Sequence, residues 1–164
     1  MEKIFVFDFD GTLFNTPEPE SGKVIFKQKT GIDWPYRGWW SKKESLDTKI
    51  FDIKPIDWVY RKYLESLQEE NHVILATGRM EELRNQVNKI LVDNNTLFDN
   101  VYLNPGMDTF VFKVRVFDSL IEKHSPEEFT IYDDRDAHLV KFKEWSETKN
   151  ININIIDVKT KEKI

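Results

Sequence analysis

The chain has no cysteine among its 164 residues. That absence excludes disulfides, thiolate nucleophiles and cysteine-rich zinc sites, and it fits a reducing cytoplasm, the compartment expected for this protein. A surplus of positive charge is lacking too: 24 lysines and arginines stand against 29 acidic residues, a net charge of −5 at pH 7. A protein that coats duplex nucleic acid neutralises many phosphates with basic side chains, so that class is excluded, whereas a nucleic acid gripped locally as a substrate is not. There is also no long hydrophobic run. The apolar start Ile4-Phe5-Val6-Phe7 is broken by Asp8 and Asp10, too short for a signal-peptide core or a membrane span, and no membrane partner is expected.

What is present is core material. A hydrophobic content of 40% offsets chain entropy over most of the length, which argues against disorder. The length suits one domain with at most a small lid, so residues 1–164 are expected to form a single domain. Ile4-Phe5-Val6-Phe7 is a continuous apolar run, as a strand buried on both faces reads. Val73-Ile74-Leu75-Ala76, Val101-Tyr102-Leu103, Phe129-Thr130-Ile131-Tyr132 and the stretch from Ile151 to Val158 repeat the signal, giving five expected strands. Between them lie helical stripes. The first comprises Ile56, Val59, Tyr60, Tyr63, Leu64 and Leu67, behind Pro55; the second Met80, Leu83, Val87, Ile90 and Leu91. Phe110, Val114, Phe117 and Ile121 form the third, with Thr109 as its expected N-cap, and Leu139, Phe142 and Trp145 the fourth. Alternating strands and helices predict a three-layer α/β sandwich around a mostly parallel, five-stranded sheet.

Residues 14 to about 54 break the alternation. They hold Pro17, Pro19, Pro35 and three tryptophans (Trp34, Trp39 and Trp40) without sustained periodicity, and are expected to form a small lid or flap insertion. The tryptophans either stack on substrate bases or form the lid's own miniature core. The polar tail from Lys159 to Lys163 is expected to fray.

The chemistry concentrates after the first strand. Asp8 and Asp10 point to the same side of the chain before Gly11 turns it, at the carboxyl end of a strand, where open α/β sheets place their ligands. Paired carboxylates there need a cation, and oxygen-only ligands suit Mg²⁺ better than Zn²⁺. The string Asp8-Phe9-Asp10-Gly11-Thr12, with four positions specified, arises by chance in a chain of this size about once in a thousand.

Asp8-Phe9-Asp10-Gly11-Thr12-Leu13-Phe14 is similar to the first signature of the haloacid dehalogenase (HAD) superfamily, and Thr77-Gly78-Arg79, Lys113 and Asp133-Asp134 follow in the order of its later signatures. Thr16-Pro17, Gly38-Trp39-Trp40, Phe112-Lys113 and Tyr132-Asp133-Asp134-Arg135, with His138 and Phe142, further resemble the HAD domain of Swiss Army Knife RNA-repair-like proteins. The pairing of Thr-Gly-Arg with Asp-Asp-Arg is also similar to the phosphatase domains of polynucleotide kinase-phosphatases.

The resemblance implies a Rossmann-like HAD fold and a Mg²⁺-dependent phosphomonoesterase. Asp8 is then the nucleophile that forms an aspartyl-phosphate, and Asp10 the acid that protonates the leaving oxygen and later activates water. Thr77 and Lys113 complete the catalytic set, with Arg115 as the substitute for Lys113. Gly11, Thr12, Gly78 and Arg79 are expected to bind substrate, Arg79 by a bidentate grip on phosphate or by pairing with a lid carboxylate. Asp8, Asp10, Asp133 and Asp134 are the expected metal-site residues, Asp134 the most direct. Asp136 reads as a surface charge, Arg135 as part of a capped helix face and His138 as a packed imidazole. Because no large cap covers the crevice, the expected substrate is a phosphorylated RNA or DNA end or a nucleotide. The alternatives are a small-metabolite phosphatase and a catalytically idle phosphate-binding module.

Overall fold

Successive side chains of a strand point to opposite faces, so a strand apolar at every position must be covered on both. In the computed structural model, which describes all 164 residues, β1 (Lys3–Phe7) sends Ile4 and Val6 into one apolar cluster and Phe5 and Phe7 into another. β2 (His72–Met80) divides in the same way, Ile74 and Ala76 on one side and Val73 and Leu75 on the other. With β3 (Asn100–Asn104), β4 (Glu128–Asp133) and β5 (Asn152–Asp157) they form a parallel sheet ordered β3-β2-β1-β4-β5. This is the expected α/β sandwich, with one strand more than the five the sequence predicts. The sixth, β6 (Glu162–Lys163), pairs antiparallel with β5 through Ile156–Lys163 and Asp157–Glu162. An exposed sheet edge offers backbone partners whatever side chains the incoming segment carries, so the polar tail pairs where composition predicts fraying.

Helices α4 (Thr109–His124) and α5 (Asp136–Ser146) cover the face bearing Ile4 and Val6. The deeply buried side of α4 is Phe112, Lys113, Val116, Phe117 and Leu120, while Phe110, Val114 and Ile121 of the expected stripe flank it. That rotation turns Lys113 inward. The N-cap is Asp108 rather than Thr109, its carboxylate accepting the Val111 N–H at 3.1 Å.

The other face carries α2 (Asp57–Ser66), α3 (Arg84–Asp93) and the segment after Phe14. Met80 belongs to β2 and not to the following helix, which starts at Arg84 behind a 3₁₀ turn at Glu81–Leu83. Residues 14–54 hold α1 (Pro19–Thr30) and a 3₁₀ turn at Lys43–Leu46. Phe26, Trp39, Leu46, Phe51 and Ile53 from this segment bury in the same cluster as Phe7 and Tyr63. Helix α1 escapes a search for periodicity because it buries only Gly22 and Phe26. The two ends of the segment are drawn together where the Ile56 N–H meets the Leu13 carbonyl at 2.8 Å and the Asn15 N–H meets the Lys54 carbonyl at 3.0 Å. No helix is long and apolar enough to cross a membrane.

Candidate active site

The winding of the sheet reverses between β1 and β4, and their carboxyl ends open a crevice there. Asp8 follows β1 directly, its N–H continuing the ladder to the Tyr132 carbonyl at 3.0 Å. Asp133 ends β4 and Asp134 follows it. Lys113, only 3% exposed, reaches across from α4 and donates to Asp8 Oδ1 and Asp133 Oδ2, each at 2.8 Å. Burial alone would lower the Lys113 pKa, but Asp133 and Asp8 together outweigh it and hold the ammonium above its usual range. Burial raises the Asp8 carboxyl well above the ordinary carboxylate range, and Asp133 and Asp134 add to the rise while Lys113 opposes it. Asp134 is also raised, by burial first and by Asp133 next.

The turn after Asp8 is built around these carboxylates. Gly11 sits at φ +69°, and a Cβ there would stand 2.4 Å from Asp134 Oδ2, so both backbone shape and space demand glycine. The fully buried Thr12 donates to Asp8 Oδ2 at 3.2 Å and lies 3.4 Å from Asp134 Oδ1. Gly11 and Thr12 therefore support the carboxylates from behind.

Asp10 is turned elsewhere. Its Oδ1 accepts from Thr16 Oγ1 at 2.6 Å and Arg79 Nη2 at 2.8 Å, and its Oδ2 from Arg79 Nε at 2.9 Å. Among the expected metal-site residues, Asp8, Asp133 and Asp134 cluster with ligand oxygens within 4.8 Å of one another, and Asp10 stands outside that group. Asp133 has both oxygens engaged, Oδ2 by Lys113 and Oδ1 by the Arg135 N–H at 3.0 Å, which suits it to holding Lys113. Asp8 is engaged at both oxygens as well, by Lys113 and by Thr12, and Asp134, approached only by Thr12 at 3.4 Å, is the freest donor of the three.

Arg79 is spent on protein partners. Besides Asp10, its Nη1 donates to the Trp40 carbonyl and to Ser45 Oγ, both at 2.7 Å, and its guanidinium stacks 4.9 Å from the Trp40 ring centre. A buried guanidinium needs its donors satisfied, and these contacts use four of its five N–H bonds. Thr77 is buried and accepts the Arg79 N–H at 3.1 Å. Since β2 runs on to Met80, no helix start stands behind Thr77. Gly78 lets β2 and α4 approach closely, as an added Cβ would meet the Thr109 side chain at 2.7 Å.

A cleft of about 430 Å³ joins these groups and is lined by Asp8, Asp10, Gly78, Arg79, Lys113, Asp133 and Asp134, while Thr77, Gly11 and Thr12 are not part of its lining. Trp40, Glu18, Thr109, Arg135, Asp136, His138 and Lys159 also line it. The tryptophans divide: Trp39 is core and Trp34 packs beside it, while Trp40 is 41% exposed at the cleft. Ser45, which orients Arg79, carries no signal in a single sequence, because small hydroxyl residues in a loop look alike, whereas Thr16 stands in the Thr16-Pro17 resemblance and only its contact with Asp10 is new. His138 faces the cleft with a buried, unpartnered Nδ1, and burial, aided by Arg135, pushes its pKa down.

The donor set fits a hard divalent cation. Three clustered carboxylates face one ammonium, which leaves net negative charge in a buried crevice, and every ligand atom is oxygen.

The chain matches the family described as HAD domain family 1 in Swiss Army Knife RNA repair proteins over residues 22–164. That match starts after Asp8 and Asp10. No curated protein matches the sequence. Two solved structures share the fold. A chain in the "Structure of the Pnkp1/Rnl/Hen1 RNA repair complex" superposes with a TM-score of 0.55 at 15% identity, over 95% of this chain and 42% of its own length. A second, in the "Structure of Pnkp1/Rnl/Hen1 complex", gives 0.56 at 16% identity, over 95% and 46%. The present chain thus spans less than half of each.

Proposed function

Because the chain belongs to HAD domain family 1 of the Swiss Army Knife RNA repair proteins, we propose that it is a phosphomonoesterase that removes phosphate from a nucleic-acid end through an aspartyl-phosphate on Asp8. The observation that carries this reading is the buried Lys113 bridging Asp8 and Asp133, with Asp134 alongside, at the carboxyl ends of β1 and β4.

In the first step an Asp8 carboxylate oxygen bonds to phosphorus as the ester P–O bond breaks, and Asp10 gives its proton to the departing oxygen. In the second, Asp10 takes a proton from water as that water attacks phosphorus, and the bond to Asp8 breaks to release inorganic phosphate. Lys113 places fixed positive charge beside the nucleophile, where the transferring group brings negative oxygens. Arg79 and Thr16 hold Asp10 in orientation. Asp8 and Asp134 would hold Mg²⁺, which when bound neutralises charge on the phosphoryl group. Residues 14–54 form one wall of the cleft and present Trp40, whose exposed ring offers a stacking surface for a terminal base worth roughly 1–3 kcal/mol.

The test is Mg²⁺-dependent phosphate release by the wild type and Asp8→Asn across p-nitrophenyl phosphate, nucleoside monophosphates and 3′- or 5′-phosphorylated oligonucleotides. Release from an oligonucleotide end that stops with chelator and falls more than about a thousandfold in Asp8→Asn supports the proposal. Near-wild-type activity in the variant overturns the mechanism. A higher kcat/KM for small phosphates replaces the substrate with a metabolite, and a folded protein that turns over none of these is an idle module.

A further inference from the structure

At the pole of the sheet opposite the carboxylate cleft, three segments distant in sequence bring together side chains of a different chemistry. Glu2 precedes β1, His72 opens β2 and His124 closes α4. Glu2 Oε2 stands 3.3 Å from His72 Nε2 and 3.7 Å from His124 Nδ1. The two imidazole rings lie with centroids 3.9 Å apart and planes inclined by 32°. All three ligand atoms fall within 4.8 Å of one another.

These separations exceed those of a charge-assisted hydrogen bond, about 2.7–2.9 Å. The shorter one matches the edge of a coordination tetrahedron, since ligands bound to zinc at 2.0–2.1 Å stand about 3.3–3.5 Å apart, and the longer one lies slightly beyond it. Two imidazoles this close that each carried a proton charge would repel, whereas two neutral rings can aim lone pairs at one ion. The carbonyl end of α4 at His124 adds negative potential where a cation would sit. Two imidazole nitrogens and one carboxylate form a set that prefers zinc, nickel or copper over magnesium, unlike the all-oxygen cluster at the other pole.

We infer that Glu2, His72 and His124 form a second metal site, for a divalent transition ion of the zinc type, which ties the starts of β1 and β2 to the end of α4. It shares no residue with the cleft. The six steps along the chain from Glu2 to Asp8 span about 20 Å in an extended strand, so this site acts on the fold and not on the reacting phosphate.

The experiment uses the full chain stripped with chelator and then held in millimolar Mg²⁺ to occupy the acidic cluster. Co²⁺ is titrated by visible absorption and Zn²⁺ by calorimetry and thermal melting. The wild type is expected to bind one equivalent, to show the d–d bands of low-coordinate Co²⁺, and to gain roughly 5–10 °C in Tm at a hundredfold excess of Zn²⁺ over its dissociation constant. His72→Gln and His124→Gln each lose at least tenfold in affinity, and Asp134→Asn keeps it. Should a histidine variant fail to fold, Glu2→Gln, altered at a more exposed side chain, is expected to weaken Co²⁺ binding and change its spectrum. No stoichiometric binding by the wild type, binding untouched by all three substitutions, or binding lost in Asp134→Asn alone overturns the inference. None of these results bears on phosphate release, so the failure of either proposal leaves the other standing.

Discussion

Removing the Lys113 ammonium leaves Asp8 and Asp133 buried without their counter-charge. Lys113→Met is therefore expected to cost about 3–5 kcal/mol of stability, measured by denaturant unfolding, although methionine fills much of the same volume. The loss should shrink when Asp8→Asn is already present, since one of the stranded charges is then gone; equal losses in both backgrounds would show that the three groups do not act together. Arg79 makes a different kind of contribution, because its fork holds Asp10, the Trp40 carbonyl and Ser45 at once. Lysine keeps the charge and cannot reproduce the fork. Arg79→Lys is expected to lower kcat by about a hundredfold with a small change in KM, the signature of a mis-set proton donor. An unchanged kcat would mean that Asp10 is positioned without Arg79.

The elements differ in how openly the sequence announces them. β1 and β2 are visible because they are apolar on both faces, and α2 because Ile56, Val59, Tyr60 and Tyr63 keep helical spacing against the core, although Leu64 and Leu67 of the expected stripe are exposed. Helix α1 is hidden, since one phenylalanine and one glycine make its whole buried face. That glycine is the contact point: a Cβ at Gly22 would fall 2.2 Å from the Trp39 ring. Helix propensity favours Gly22→Ala by about 1 kcal/mol, while overpacking against a rigid indole costs about 1–3 kcal/mol. The contact is expected to win, and Gly22→Ala should lower Tm by several degrees in a thermal melt. A rise in Tm would show that the indole shifts freely and that α1 is loosely held.

Over the whole molecule, stability follows the protons bound by the two raised carboxyls. In metal-free protein Asp8 and Asp134 hold protons more tightly when folded than when unfolded, where the ordinary value is 3.8. Their contribution is fully present below that value and is lost as the pH rises through the folded pKa values. The stability of Asp8→Asn relative to wild type is thus expected to be greatest near pH 7 and to shrink as the pH falls towards 4, in denaturant titrations. A difference that does not vary with pH would mean that Asp8 is not raised. Millimolar Mg²⁺ should flatten the dependence by holding the carboxylates ionised. The alternating apolar runs determined the sandwich by themselves, because burial on both strand faces leaves few other architectures, and the ordered carboxylate and Thr-Gly-Arg motifs marked where chemistry would concentrate. Tertiary structure alone decided the assignments within the site. It rotated α4 so that Lys113 reaches Asp8 and Asp133, turned Asp10 to Arg79 and away from the carboxylate cluster, separated Trp40 from its buried neighbours and brought Glu2, His72 and His124 into one group. A motif states which residue types lie near one another along the chain, but the direction of a side chain depends on packing between segments that the sequence holds tens of residues apart.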